Sequence, residues 1–268
     1  EYGLIVYLKK NKCNVTGCTN RSNPHRKGMG GGMVNQDLKK QAYDILRQKL
    51  IYCEYKPGSL LNEAQLSEEL GFSRTPIREA LNRIEQEGFI RILPKKGIFV
   101  TDIALRDVQQ IFEVRIQIEP VTLKMAAPNL PRDTLLQFRD LFLGDDPDVR
   151  YGFELDTAMH LFLIDHCGNR FLTEMMHKVF DQNTRVIISS KQNCIQIHDA
   201  KQEHLEILDL LLDEKFDRAV ESMCTHIASC RKAALDFFYN PQAYPLTAPG
   251  GEAPRQAPSL PTGVSIGY

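Results

Sequence analysis

The chain has 268 residues, 43% of them hydrophobic and 25% charged, and a net charge of -1 at neutral pH. That length accommodates two modest domains with tails, and no apolar run is long enough to span a bilayer. Seven cysteines, at 13, 18, 53, 167, 194, 224 and 230, are odd in number and scattered, which excludes a disulfide framework and reads as the reduced thiols of a cytoplasmic protein.

In chain order, residues 1–32 carry no sustained period and end in GMGGG, so they read as an extension or tag outside the fold. A first helix is expected over NQDLKKQAYDILRQKLIY, from the helical spacing of Leu38, Ala42, Ile45 and Leu46. KPGSLLN reads as a turn, and NEAQLSEEL as a short helix capped by Asn62 and ended by Gly71. A second short helix runs from about Ser73 to Glu87 with Pro76 in its first turn and Ser73 or Thr75 as cap. FIRIL and GIFVT, around the turn PKKG, read as two strands of a hairpin.

From residue 104 onward six helical segments are expected, at 104–127, 132–143, 148–167, 170–192, 197–213 and 215–239. The Pro- and Gly-rich residues 241–268 cannot bury enough apolar surface to order themselves and read as a flexible tail. The expected fold is therefore mainly α, a winged helix-turn-helix at residues 33–101 followed by an all-α bundle of six or seven helices at residues 102–240. Charge divides along the same boundary. Residues 33–101 hold 11 Lys/Arg against 9 Asp/Glu (+2), and residues 102–240 hold 15 against 23 (-8). A slightly basic head on an acidic body suits a nucleic-acid reader with a control domain.

Helix, tight turn and helix over residues 62–87 form a helix-turn-helix, whose second helix enters the major groove by its N-terminal end. Arg74, Thr75 and Arg78 cluster at that end, where guanidinium groups can reach guanine edges or phosphates. Lys95, Lys96 and Gly97 occupy the tip of the hairpin, where glycine allows close backbone approach and lysine suits phosphate. Over residues 36–101 the sequence closely resembles the winged helix-turn-helix of GntR-type bacterial transcription regulators, most specifically in SRTPIREAL, EGFI and KKGIFV. The resemblance implies operator contacts from Arg74, Thr75, Arg78 and Gly97, with Lys96 beside them. Some relatives carry a further DNA-contacting arginine where this chain has Ala64, so that contact is missing.

In the helical half, Asp156 and His160 lie four apart on one apolar face, His204 sits inside a second such face, and His226 inside a third. A buried Asp or His is costly unless paired. For each alone, a hydrogen-bonded core residue is the simpler reading. For the set of four, a divalent metal satisfies all, and imidazole with carboxylate suits zinc first, with nickel, manganese or iron as alternatives. Arg115, between Ile111 and Ile118, and Arg185, one turn beyond Gln182, are arginines on apolar faces that require an anion. That anion is either a bound carboxylate ligand or an internal acid such as Glu119.

Residues 104–238 resemble the FCD effector domain of the FadR branch of the same family, through EVRIQIEP, ELDTAMHLFLIDHCGN, EHLEILDLL and MCTHIASC in that order. The resemblance implies a metal on Asp156, His160, His204 and His226, and a carboxylate effector held by Arg115 and Arg185. Six segments suggest the shorter VanR-like subgroup, and the metal set argues against an acyl-CoA ligand. The expectation is a dimeric regulator, by default a repressor, that binds double-stranded operator DNA under control of a sugar acid, hydroxy acid or dicarboxylate. Two rivals use the same four residues: a metal-dependent enzyme, and a regulator for which the metal itself is the signal.

Overall fold

The computed structural model describes residues 31–144, 149–192 and 200–239. The tail expected at 241–268, and the extension expected at 1–32 except for its last two residues, lie outside the described residues. Among the described residues, nine α-helices and one small antiparallel sheet make a mainly helical fold.

The first half comprises α1 (Gly31–Ile51), β1 (Leu60–Leu61), α2 (Glu63–Leu70), α3 (Arg74–Gln86), β2 (Ile90–Leu93) and β3 (Gly97–Val100). Helix α1 starts at Gly31, earlier than expected, because glycine's low helix propensity argues against helix in GGM. Asn62 caps α2 by accepting the Ala64 N–H at 2.8 Å, and Gly71 ends it in the left-handed conformation, φ 70°. Ser73 occupies the cap position of α3 in extended backbone, but its hydroxyl makes no capping hydrogen bond. Pro76 is buried in the first turn of α3, where its missing N–H costs nothing.

Leu66 of α2 and Ile77, Leu81 and Ile84 of α3 share one core with Leu46 and Leu50 of α1 and with Ile98 and Val100 of β3. Each such side chain contributes about 1.5–3 kcal/mol on burial. The hairpin pairs Ile92 with Ile98 and Leu93 with Gly97. A third strand was not expected. Leu60 and Leu61, within the segment read as a turn, pair with Phe99 and Ile98, giving the order β1-β3-β2. Two residues are too few to show an alternating pattern. Their approach also fixes Gly97, which has φ 115° and whose added Cβ would lie 2.7 Å from the Leu61 carbonyl oxygen.

The second half comprises α4 (Leu105–Ala126), α5 (Arg132–Leu143), α6 (Val149–Asp165), α7 (Arg170–Gln192), α8 (Lys201–Leu212) and α9 (Phe216–Tyr239), in step with the six expected segments. Helix α4 packs against α9, α7 and α6, while α8 packs against α9 and α5. Phe112, Phe138, Met159, Ile207, Leu208 and Ile227 anchor the core. Phe138 and Phe162 meet with ring centroids 5.2 Å apart. The halves join where α1 packs on α7. There Arg47 pairs with Asp181 and, at 2.8 Å, with Glu87. No described helix is long and apolar enough to cross a membrane.

Candidate metal centre and nucleic-acid interface

Three helices deliver the four predicted ligands to one point. Asp156 and His160 stand one turn apart on α6, His204 comes from α8 and His226 from α9. Their nearest ligand atoms all lie within 4.8 Å of one another. The imidazoles are buried, and the Asp156 side chain retains 20% exposure. His226 Nε2 is 3.1 Å from His160 Nε2 and 3.2 Å from His204 Nε2, and Asp156 Oδ1 is 3.0 Å from His204 Nε2.

The outer nitrogens explain why Nε2 of His160 and of His226 faces inward, whereas the buried His204 Nδ1 has no hydrogen-bond partner among the described residues. His160 Nδ1 is 2.6 Å from Glu119 Oε2, and His226 Nδ1 is 2.8 Å from Glu203 Oε2. A carboxylate can only accept, so each Nδ1 carries the proton in the neutral imidazole and each Nε2 presents a lone pair. Two lone pairs facing each other at 3.1 Å repel unless a cation lies between them. Tetrahedral zinc with nitrogen ligands at about 2.0–2.1 Å would hold those nitrogens about 3.3 Å apart. The donor set and its spacing therefore fit a divalent ion.

Electrostatics act on Asp156, His204 and His226 in the sense a metal needs. Burial opposes the Asp156 charge, but the hydrogen bond with His204 and the fields of the three imidazoles hold its carboxyl well below the usual range. Burial, reinforced by the other two histidines, pushes His226 below its ordinary value, and burial lowers His204 as well. An ionised carboxylate and neutral imidazoles are what a metal requires. Cys230 Sγ lies 3.7 Å from His226 Nε2, and burial pushes that thiol up to about 12.

Arg115 is brought to the edge of this centre. It is 2% exposed, its Nε donates to Glu119 Oε1 at 2.5 Å, and its NH1 donates to Asn183 Oδ1 at 3.1 Å. Burial works against its charge, but Glu119 and the fields of Cys230 and Asp156 raise its pKa. The internal acid that the sequence offered as an alternative is thus in place. Arg185 stands apart from the four ligands. Its NH2 donates to the Thr101 carbonyl at 2.6 Å, its NH1 to Gln182 Oε1 at 3.0 Å, and burial lowers its pKa. It borders a cleft of about 610 Å³ between the halves, also lined by Thr101, Asp102, Asp107 and Gln182. Glu119 as a partner of His160, and Glu203 as a partner of His226, were not anticipated. Of the other histidines, His166 Nδ1 lies 2.8 Å from the Phe162 carbonyl and His177 Nε2 lies 2.6 Å from Asp165, while His25 and His198 fall outside the described residues.

On the opposite half, Arg74, Thr75 and Arg78 are exposed on the first turns of α3. Arg78 Nε donates to both oxygens of Glu63, at 2.8 and 2.9 Å. With no side chain capping α3, its leading N–H groups are open to an anion. Lys95 holds the left-handed turn at φ 61°, beside exposed Lys96, at the wing tip.

Comparison with known families agrees with both halves. Residues 38–100 match the model for bacterial regulatory proteins of the gntR family, and residues 110–229 match the FCD domain. The Nta operon transcriptional regulator of Aminobacter aminovorans is 28% identical over 177 residues, spanning 65% of this chain and 83% of that protein. The HTH-type transcriptional repressor RspR of Escherichia coli (strain K12) is 24% identical over 197 residues, spanning 72% of this chain and 86% of that protein. A crystal structure of a GntR-type protein from Rhodococcus sp. RHA1 superposes with a TM-score of 0.64 at 19% identity, covering 74% of this chain and 98% of that one, which shows the fold.

Proposed function

We propose that this chain, a GntR-type transcription regulator that joins a DNA-binding helix-turn-helix to an FCD effector domain, is a homodimeric repressor controlled by a metal-anchored organic acid. The observation that carries the metal is the opposed pair of Nε2 lone pairs at 3.1 Å, held in that orientation by Glu119 and Glu203. Asp156, His160, His204 and His226 would hold the ion, which supports reading the chain as a metal-containing, VanR-like member of the FadR branch. When bound, it supplies a Lewis-acidic anchor for a carboxylate oxygen.

The part-exposed Asp156 gives the ligand a side from which to approach. Arg115 supports a negative ligand through its charge, while its guanidinium stays shared between Glu119 and Asn183. A sugar acid, hydroxy acid or dicarboxylate fits this anchor, whereas Arg185, apart from the four ligands, would serve only a ligand that occupies the cleft between the halves. In DNA, Arg74, Thr75 and Arg78 enter the major groove, while Lys96 and Gly97 follow the backbone at the wing. Two such heads read the half-sites of a near-palindrome. Repression relieved by the acid is the sense we adopt, in keeping with the repressor named among the relatives.

The test begins with metal analysis of the purified protein and of His204→Ala, which should lose bound zinc. Full zinc content in that variant would refute the four-residue centre. A thermal-shift screen of sugar acids, hydroxy acids and dicarboxylates on zinc-loaded protein then identifies the effector class. Zinc-dependent binding to a selected duplex, with no response to any acid, would favour the metal-sensing alternative. Turnover of an acid would favour the enzyme.

A further inference from the structure

Helix α7 touches both halves of the molecule through polar side chains, and it does so from opposite faces. Asp181 and Arg185 are four residues apart and so share one face, while Asn183 lies about 200° around the helix from each. On the inner side, a buried chain of contacts leads to the ligand His160. His160 Nδ1 meets Glu119 at 2.6 Å, Glu119 accepts from Arg115, and Arg115 donates to Asn183 at 3.1 Å. Arg115, Glu119, His160 and Asn183 are all 2% exposed or less.

On the outer side, Asp181 accepts from Arg47 of α1, and Arg47 Nε donates to Glu87 at 2.8 Å. Glu87 closes the C-terminal end of α3 and also accepts from Tyr43 at 2.5 Å. Arg185 donates to the carbonyl of Thr101, the residue that follows β3, at 2.6 Å, and its guanidinium lies 5.4 Å from the Phe89 ring. The Cys53 thiol donates to the Arg185 carbonyl at 3.7 Å.

We propose that Asn183, Asp181 and Arg185 make α7 a tie rod between the metal centre and the recognition helix, so that filling the centre resets the DNA-binding head through α7. This rests on the metal reading above. Coordination fixes the His160 ring, and Glu119, Arg115 and Asn183 follow because none of these buried groups can shift alone without losing its partner. A rotation or slide of α7 is passed on by Asp181 to Arg47 and Glu87, and by Arg185 to Thr101. Arg115 and Asn183 act as positioning residues in this scheme, since they act on the head through other groups.

The experiment is hydrogen exchange on the full chain, chelator-treated and zinc-loaded, with zinc affinity measured by calorimetry on the same samples. In the unaltered protein, zinc should slow exchange around α6, α8 and α9, and should change exchange in α1 and at the C-terminal end of α3 by about fivefold or more. Asp181→Asn, at a part-buried site away from the four ligands, should keep zinc affinity within about twofold while losing the distant change. Asn183→Ala should do the same from the inner side. A tight zinc complex with no change in α1 or α3, or one in which both variants transmit the change fully, overturns the tie rod and leaves the metal centre standing. Absence of zinc binding in the unaltered protein overturns both.

Discussion

That Asp156, His160, His204 and His226 would meet could be read from the sequence because each sits at a helical position whose neighbours are apolar, a pattern that periodicity exposes. Their supports could not. Glu119 reaches His160, and Glu203 reaches His226, only because α4 crosses α6 and α8 crosses α9, and neither approach leaves a mark in local spacing. Arg115 was read as an arginine needing either a bound carboxylate or an internal acid, and Glu119, one turn away, pairs with it in the folded chain. This predicts an asymmetric mutational response. Arg115→Leu leaves Glu119 buried without its cation and should cost about 3–5 kcal/mol. Arg115→Leu with Glu119→Leu should recover much of that loss, although His160 then loses its partner. Urea denaturation of the single and double variants measures this, and equal losses in both would contradict the pair's role.

At the scale of elements, the six helices of the second half and the helix-turn-helix with its hairpin were legible because long periodic segments and Gly/Asn punctuation are strong local signals. The misses were local as well. Strand β1 has two residues and exists only because β3 offers it an edge, and Ser73 lacks the capping bond that its residue type invites. That unsealed start of α3 bears on DNA binding, since the leading N–H groups and the exposed Arg74 lie at the same end of the helix. Arg74→Ala should weaken binding to a selected duplex by about 1–3 kcal/mol and, if its partner is a phosphate, reduce the salt slope by about one. Filter binding across a salt series distinguishes the two, and unaltered affinity would remove Arg74 from the interface.

For the whole molecule, the charge imbalance sets how DNA can be approached. The acidic helical half repels a polyanion, so productive encounters are oriented with the head and its +2 balance foremost. Two heads reading a symmetric site require two chains. Light scattering should therefore give about 61 kDa, twice the 30.5 kDa of one chain, and 30.5 kDa at micromolar concentration would contradict a stable dimer. The change in charge near residue 101 falls beside the end of the sheet at Val100. The contact of α1 with α7 was not approachable from composition, as it joins residues more than a hundred positions apart.

The ion pair between Arg78 and Glu63 implies a competition that the free protein has already entered. Both oxygens of Glu63 accept from the one Nε–H, so an arriving phosphate meets a guanidinium whose charge is already shared with a tethered carboxylate. A solitary phosphate offers little over what Arg78 already has, whereas the paired acceptors on a guanine edge match its fork. Under the proposed DNA contact of Arg78, Glu63 would act as a decoy that discourages binding along arbitrary sequence. Glu63→Gln should tighten binding to random-sequence duplex more than to a selected site, narrowing the ratio between them. If that ratio holds steady in a competition assay, the decoy has no effect on selectivity.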